Sequence, residues 1–228
     1  MSVNTVNERL ARLTGLGTSV WLDQIGRSLI EDGTLARFVD QYSLRGMTSN
    51  PAIFEKAILE SDDYDAIISE GFADGRTAVE IFHDIAVADV KAAAGVLRSV
   101  WEATAGYDGF VSLEVSPELA RDTAGKTLEE ARSYWKLVDA PNLMIKIPGT
   151  PEGLEYIEQG TYEGINVNIT LLFSVERYAD VAESYIKGLE RRHAEGLSLD
   201  VHSVASFFVS RVDTVVDKQL AEIGRSDL

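Results

Sequence analysis

The 228 residues contain no cysteine, which excludes disulfides, thiolate metal sites and cysteine nucleophiles. Histidine is nearly as scarce: His83, His193 and His202 stand far apart and form no ligand pair. No metal centre is therefore expected. Basic charge is short as well, with 21 Lys and Arg against 37 Asp and Glu and a net charge of −16. Such a chain is poorly suited to holding nucleic acid or an anionic membrane, so neither is expected as a partner. An anionic substrate must be held by a few local basic groups. No stretch approaches the roughly 20 apolar residues of a membrane span, and the start, MSVNTVNERLARL, lacks an apolar signal core. Cytoplasm is the expected location. There is no repeat, low-complexity tract or Pro- or Ser-rich linker, so one domain over residues 1–228 is expected.

What is present is an ordinary globular composition, 45% hydrophobic and 25% charged, arranged as short apolar runs alternating with amphipathic ones. Helices are predicted over about Asn4–Thr14, Leu29–Tyr42, a long region to Ala103 broken near Ser61 and Gly75, Thr127–Val138, Pro151–Glu158, Val175–Glu195 and Ser210–Ile223. Six extended segments separate them: Ser19–Asp23, Gly46–Asn50, Phe110–Val115, Leu143–Ile147, Ile165–Phe173 and Val201–Phe208. Strand–helix alternation implies parallel strands with helical crossovers. Both an open doubly wound sheet and a (β/α) barrel satisfy it; the barrel needs eight strands.

Strands covered on both faces should be almost continuously apolar, and these are not. With alternating side chains, Ser112 and Glu114 share one face, as do Met144 and Lys146, then Asn166, Asn168 and Thr170. Leu171 falls on the opposite face with Ile165, Val167 and Ile169. Trp21 pairs with Asp23 in the first strand and Val204 with Ser206 in the sixth. The polar groups gather towards the C-terminal ends of the strands, where parallel α/β folds place their active sites.

Lys146 stands out because an ammonium between isoleucines is costly to bury, and burial favours the neutral amine. A neutral amine attacks a carbonyl and forms an imine, an electron sink for carbon–carbon cleavage. The plainer alternative is a structural ion pair with Glu114 or Asp23. Those two carboxylates suit proton transfer; otherwise Asp23 is a helix N-cap and Glu114 an edge salt bridge. Asn50, in Thr-Ser-Asn-Pro, suits a turn. Arg211, near a helix start, suits an anion or is simply a surface arginine. Gly125-Lys126-Thr127 lacks the first glycine of a phosphate-binding loop, which would stand at Ala120. Gly15-Leu16-Gly17 carries Val20 where a dinucleotide fingerprint needs glycine.

Six blocks then fall in a familiar order: VWLD (Val20–Asp23), GMTSNPAIF (Gly46–Phe54), SLEVSP (Ser112–Pro117), MIKIPGT (Met144–Thr150), INVNITLLFS (Ile165–Ser174) and SVASFFVSRVD (Ser203–Asp213). They resemble the transaldolases, in particular the longer bacterial type also found fused to glucose-6-phosphate isomerase. The resemblance implies a parallel (β/α) barrel of the class I aldolase kind, here incomplete, with about six of eight strands and an open arc edged by the first and sixth. It implies that Lys146 forms the Schiff base, that Asp23 and Glu114 transfer protons, and that Thr170 helps hold a catalytic water. Asn50, Asn168 and Ser206 match residues binding the donor's hydroxyls and the dihydroxyacetone unit. Phe208 matches an aromatic beside the site, and Arg211 a phosphate-binding arginine.

The implied reaction moves dihydroxyacetone from sedoheptulose 7-phosphate to glyceraldehyde 3-phosphate, giving erythrose 4-phosphate and fructose 6-phosphate, with no cofactor. Sugar phosphates are the implied partners, with a homo-oligomer and a fused or missing C-terminal isomerase domain as further options. The competing readings are a Schiff-base aldolase that releases free dihydroxyacetone, and an inactive barrel fragment serving only as an interaction module.

Overall fold

The computed structural model describes residues 6–225 and residue 227. The elements run α1 (Glu8–Gly15), β1 (Val20–Asp23), α2 (Arg27–Glu31), α3 (Thr34–Tyr42), β2 (Leu44–Thr48), α4 (Pro51–Leu59), α5 (Asp65–Ala73), α6 (Ala78–Ala103) and β3 (Val111–Glu114). A short 3₁₀ turn (Pro117–Arg121) precedes α7 (Lys126–Val138), β4 (Leu143–Pro148), α8 (Gly153–Glu163), β5 (Val167–Leu172), α9 (Val175–Ala194), β6 (Ser203–Phe207) and α10 (Val209–Glu222).

All six strands are parallel, in the order β1-β2-β3-β4-β5-β6. That order decides between the two architectures left open by the alternation. A doubly wound sheet reverses direction at a switch point; this one never does. Right-handed crossovers taken repeatedly in one direction put every helix on one side of the sheet. The other side curls into a lumen, as in an incomplete (β/α) barrel. The six-strand expectation is met, with β1 and β6 as the two ends of the sheet.

The main core lies between the strands' outer faces and the helices. One cluster runs from Ile25 and Met47 through Leu97, Val111, Leu143, Ile145 and Ile147 to Val167, Ile169 and Val181. On α9, Gly188 allows a close approach to α8. A Cβ there would lie 2.7 Å from the Glu158 carbonyl oxygen of α8, so the two helices buttress β4 and β5 at a spacing only glycine permits.

Local chemistry explains where the elements depart from the sequence reading. The single helix expected over Leu29–Tyr42 is two, because Gly33 takes φ +79° between them and Asp32 Oδ1 accepts from Thr34 N at 2.7 Å. The first helix begins at Glu8, with Asn7 accepting from Arg9 N and Leu10 N; of the expected start, residues 4 and 5 lie outside the described residues. The second strand ends at Thr48 rather than Asn50, because Asn50 caps α4 by accepting from Ile53 N at 2.9 Å, with Pro51 at the first helical position. The helix expected to stop at Glu158 continues to Glu163, where Gly164 at φ +90° ends it.

The alternation expected along β5 also fails at one residue. Leu171 has φ +61°, and the pairing with β6 shifts register between Ile169 and Leu172. This is a β-bulge. It takes Leu171 off the core face and seats Leu172 there beside Ile169.

Candidate active site

The strand pairing sets three of the expected residues side by side: Glu114 of β3 opposite Lys146 of β4, and Lys146 opposite Asn168 of β5. Lys146 Nζ lies 3.0 Å from Glu114 Oε2, with 6% and 14% of the two side chains exposed. The amine also donates to the Ser49 carbonyl at 3.1 Å. The ion pair foreseen as the plainer alternative is therefore present, with Glu114 as the partner. It is no edge salt bridge, since β3 and β4 are interior strands.

Beside this pair runs a hydrogen-bonded chain. Asn168 Nδ2 donates to Ser112 Oγ at 2.9 Å, and Ser206 Oγ donates to Asn168 Oδ1 at 2.7 Å, tying β3, β5 and β6 across the lumen. Both ends of the Asn168 amide are thus satisfied and its orientation is fixed. Ser49 Oγ donates to the Ser112 carbonyl at 2.8 Å, which locks the carbonyl-bearing Ser49 segment to β3. Thr170, buried on β5, sits opposite Pro148, one layer further along the same face.

The other expected residues stand around this centre. Asn50 follows Ser49 and caps α4 with its Oδ1; its turn-stabilising alternative is thus realised. Asp23 ends β1 opposite Thr48, exposed, on the wall of a cleft that also holds Gln24, Lys56 and Glu60. It is not a helix cap, because the N-cap of α2 is Gly26. Phe208 precedes α10 and stacks on Phe173 at 5.9 Å between ring centroids. The exposed Arg211 guanidinium lies 4.4 Å from the Phe208 centroid. So the structure joins Lys146, Glu114, Asn168 and Ser206 into one network and Phe208 and Arg211 into a second. No hydrogen bond or ion pair among the described residues links Asp23 to either.

The family model described as Transaldolase/Fructose-6-phosphate aldolase matches residues 20–227. The chain belongs to this family. Curated relatives named transaldolase include a Thermobifida fusca protein, 50% identical over 219 residues, and a Mycobacterium tuberculosis protein, 48% identical over 219 residues. A Trichodesmium erythraeum transaldolase is 45% identical over 218 residues. These alignments cover 96%, 96% and 95% of this chain and 59%, 58% and 57% of the relatives, so the chain spans less than two thirds of their length. Among the described residues no helix is long and apolar enough to cross a membrane.

Within this member of the transaldolase family, two residues in direct contact with the central network went unselected by sequence reasoning. Ser112 was visible as the residue two before Glu114 on the same face, and that spacing was the available signal. Ser49 gave none, because it acts on Lys146 through its backbone carbonyl, which any residue type supplies.

Proposed function

We propose that the chain carries a transaldolase site in which Lys146 is the nucleophile. The observation that carries this reading is the buried Lys146–Glu114 pair, 3.0 Å apart and in register with Asn168. Moving one proton across that gap converts ammonium and carboxylate into amine and carboxylic acid, the two forms that imine formation requires. The amine adds to the ketose carbonyl. The Glu114 acid then protonates the carbinolamine hydroxyl, water leaves, and an iminium remains beside a carboxylate.

Asp23 takes the proton from the hydroxyl of the carbon that is cleaved off, and the bond electrons flow into the iminium. The network of Asn168 and Ser206, with Asn50, holds the hydroxyls of the dihydroxyacetone unit. Thr170 helps to hold the catalytic water that works with Glu114. Phe208 flanks the substrate and Arg211 pairs with its phosphate, a charge-assisted contact suited to an acidic protein with few basic groups. The donor on this reading is sedoheptulose 7-phosphate or fructose 6-phosphate, and the acceptor an aldose phosphate. The continuous core beneath the sheet supports one barrel-type domain.

Borohydride trapping with fructose 6-phosphate, followed by peptide mass spectrometry, tests the assignment. A dihydroxyacetone-derived adduct on Lys146 is the expected result; an adduct elsewhere sinks it, as does the lack of one both in this chain and in a chain extended to the length of the relatives. The family description names both a transferase and an aldolase, so release of free dihydroxyacetone is the second reading. Product analysis with and without an acceptor aldehyde separates the two.

A further inference from the structure

Among the described residues the Asp23 carboxylate has no hydrogen-bond or ion-pair partner, and β1, which carries it, is an end strand paired on one side only. Its place is therefore set by the backbone on either side. Behind it stands the β1–β2 ladder. Ahead of it, Gln24, Ile25 and Gly26 lead directly into Arg27, the first residue of α2. Four residues reach at most about 14 Å, so whatever fixes Arg27 also confines Asp23.

Arg27 is fixed through both its side chain and its backbone. Its Nε and Nη2 donate to Asp89 Oδ1 at 3.1 and 2.9 Å, and its backbone N–H donates to the Tyr64 phenol oxygen at 2.9 Å. The Tyr64 hydroxyl in turn donates to Asp89 Oδ2 at 2.8 Å, and the guanidinium carbon stands 4.8 Å from the Tyr64 ring centroid. Gly26, the N-cap of α2, has no side chain to offer, so the phenol supplies the acceptor that a capping side chain would. Tyr64 is fully buried, and Asp89, within α6, is 3% exposed. Burial, and then the bond to Asp89, hold the phenol well above its ordinary pKa, so it stays the donor. Helix packing alone does not call for this cluster, because an ion pair taken out of water gains little stability over apolar side chains of the same volume. What it supplies is direction, since charge-assisted bonds to a planar guanidinium hold their partners at set angles.

We propose that Arg27, Asp89 and Tyr64 are positioning residues for carbon–carbon cleavage, holding the β1–α2 turn so that Asp23 meets the hydroxyl it deprotonates. The proposal rests on the Schiff-base reading above, and it separates two stages of that reading. Imine formation at Lys146 uses Glu114 and does not involve Asp23. In the cleavage step the Asp23 carboxylate takes the hydroxyl proton, the carbon–oxygen bond becomes a carbonyl, and the carbon–carbon bonding pair moves into the iminium to leave an enamine. The aldose phosphate departs. The Asp23 acid then returns its proton to carbon, which restores a three-carbon iminium. Loosening the cluster slows the second stage and spares the first.

Borohydride quenching at intervals after mixing with fructose 6-phosphate reads both stages, in this chain and in one extended to the relatives' length. Peptide mass spectrometry distinguishes two Lys146 adducts, the intact hexose phosphate before cleavage and the dihydroxyacetone unit after it. Tyr64→Phe keeps the ring and removes the hydroxyl; Asp89→Asn keeps the shape and removes the charge. Each is expected to raise the early ratio of the heavier adduct to the lighter about tenfold, below the roughly 100-fold cost of a 1 Å misplacement. The rate of total adduct formation stays unchanged. Val181→Ala, a buried truncation on α9, serves as the control and leaves the ratio alone. If Asp89→Asn does not fold, Tyr64→Phe alone decides. A ratio unmoved in the cluster variants, or moved equally by Val181→Ala, overturns the positioning role and leaves the Schiff-base reading standing. So does total adduct formation that falls as far as cleavage does, since that marks general loosening. Unsubstituted chains that yield only the heavier adduct at both lengths leave no cleavage to position, which also overturns it. If no adduct forms at either length, the Schiff-base reading fails and the positioning role falls with it.

Discussion

β4 and β6 belong to one sheet, two positions apart, yet they sit in different surroundings. Every residue of β4 is buried, the lysine included, whereas no residue of β6 is. The helices that follow repeat the contrast. α8 buries Tyr156, Ile157 and Thr161 against its neighbours, while α10 has no buried residue and exposes Val209, Val215 and Val216. The proposed nucleophile is on the buried strand β4, and the proposed phosphate ligand Arg211 is on the exposed helix α10. Imine chemistry needs atoms held within a fraction of an ångström; an anion contact made by a long side chain over an aromatic ring tolerates more. The comparison teaches where this fold spends its packing.

The largest expected effect comes from breaking the central pair. Lys146→Ala should abolish the borohydride adduct and cost about 3 kcal/mol in urea unfolding, because the nearly buried Glu114 carboxylate loses its counter-ion. A variant that keeps full stability would show that water already compensates Glu114. The helices behind the strand come next. Gly188→Val forces a side chain into the Glu158 carbonyl and Thr161 of α8, and an overpacking cost of about 2 kcal/mol is expected. Equal stability would mean that α8 and α9 separate without disturbing β4 and β5.

Much of this division was legible in the sequence, for definite reasons. The position of Lys146 between Ile145 and Ile147, and of Glu114 after Leu113, exposed an alternation that apolar strands do not need, and the pairing register then made neighbours of them. The strand order was not legible, because alternation alone serves a doubly wound sheet as well as a barrel. Nor was the bulge at Leu171: a leucine gives no warning of φ +61°, since that conformation ordinarily marks glycine or asparagine. Helix ends were readable where a side chain makes the cap, as at Asn50 before Pro51. The break between α2 and α3 was missed because Asp32 and Gly33 sit inside a stretch that otherwise keeps helical periodicity.

Arg211 sharpens the comparison from the open end. The guanidinium lies over the Phe208 ring and is exposed, so Arg211→Ala should leave the unfolding free energy in urea within about 0.5 kcal/mol of the unsubstituted chain. Phosphate affinity should fall about tenfold, the loss of one charge-assisted contact. Titrating inorganic phosphate against the rate of adduct formation reads that affinity as competition. A stability loss as large as that of Lys146→Ala would erase the distinction between the two regions.

A matched pair of apolar truncations isolates packing from chemistry, and its exposed member carries the smallest expected effect. Leu143 on β4 is fully buried, and Leu143→Ala should cost about 3 kcal/mol through lost transfer energy and the cavity left behind. Val215 on α10 is 56% exposed. Half of its surface is already in water, and no close-packed shell surrounds it to leave a void. Val215→Ala should therefore change stability by less than about 0.5 kcal/mol. The measurement is chemical unfolding at several protein concentrations, because the exposed Val215 and Val216 line one apolar cleft with Phe173 that a second molecule can cover. A cost for Val215→Ala that grows with protein concentration would mean that α10 is buried in an assembly, so the open end would be open only in the single chain. A small cost at every concentration would leave α10 as the loosely held element seen here, and the packing of the fold concentrated behind Lys146.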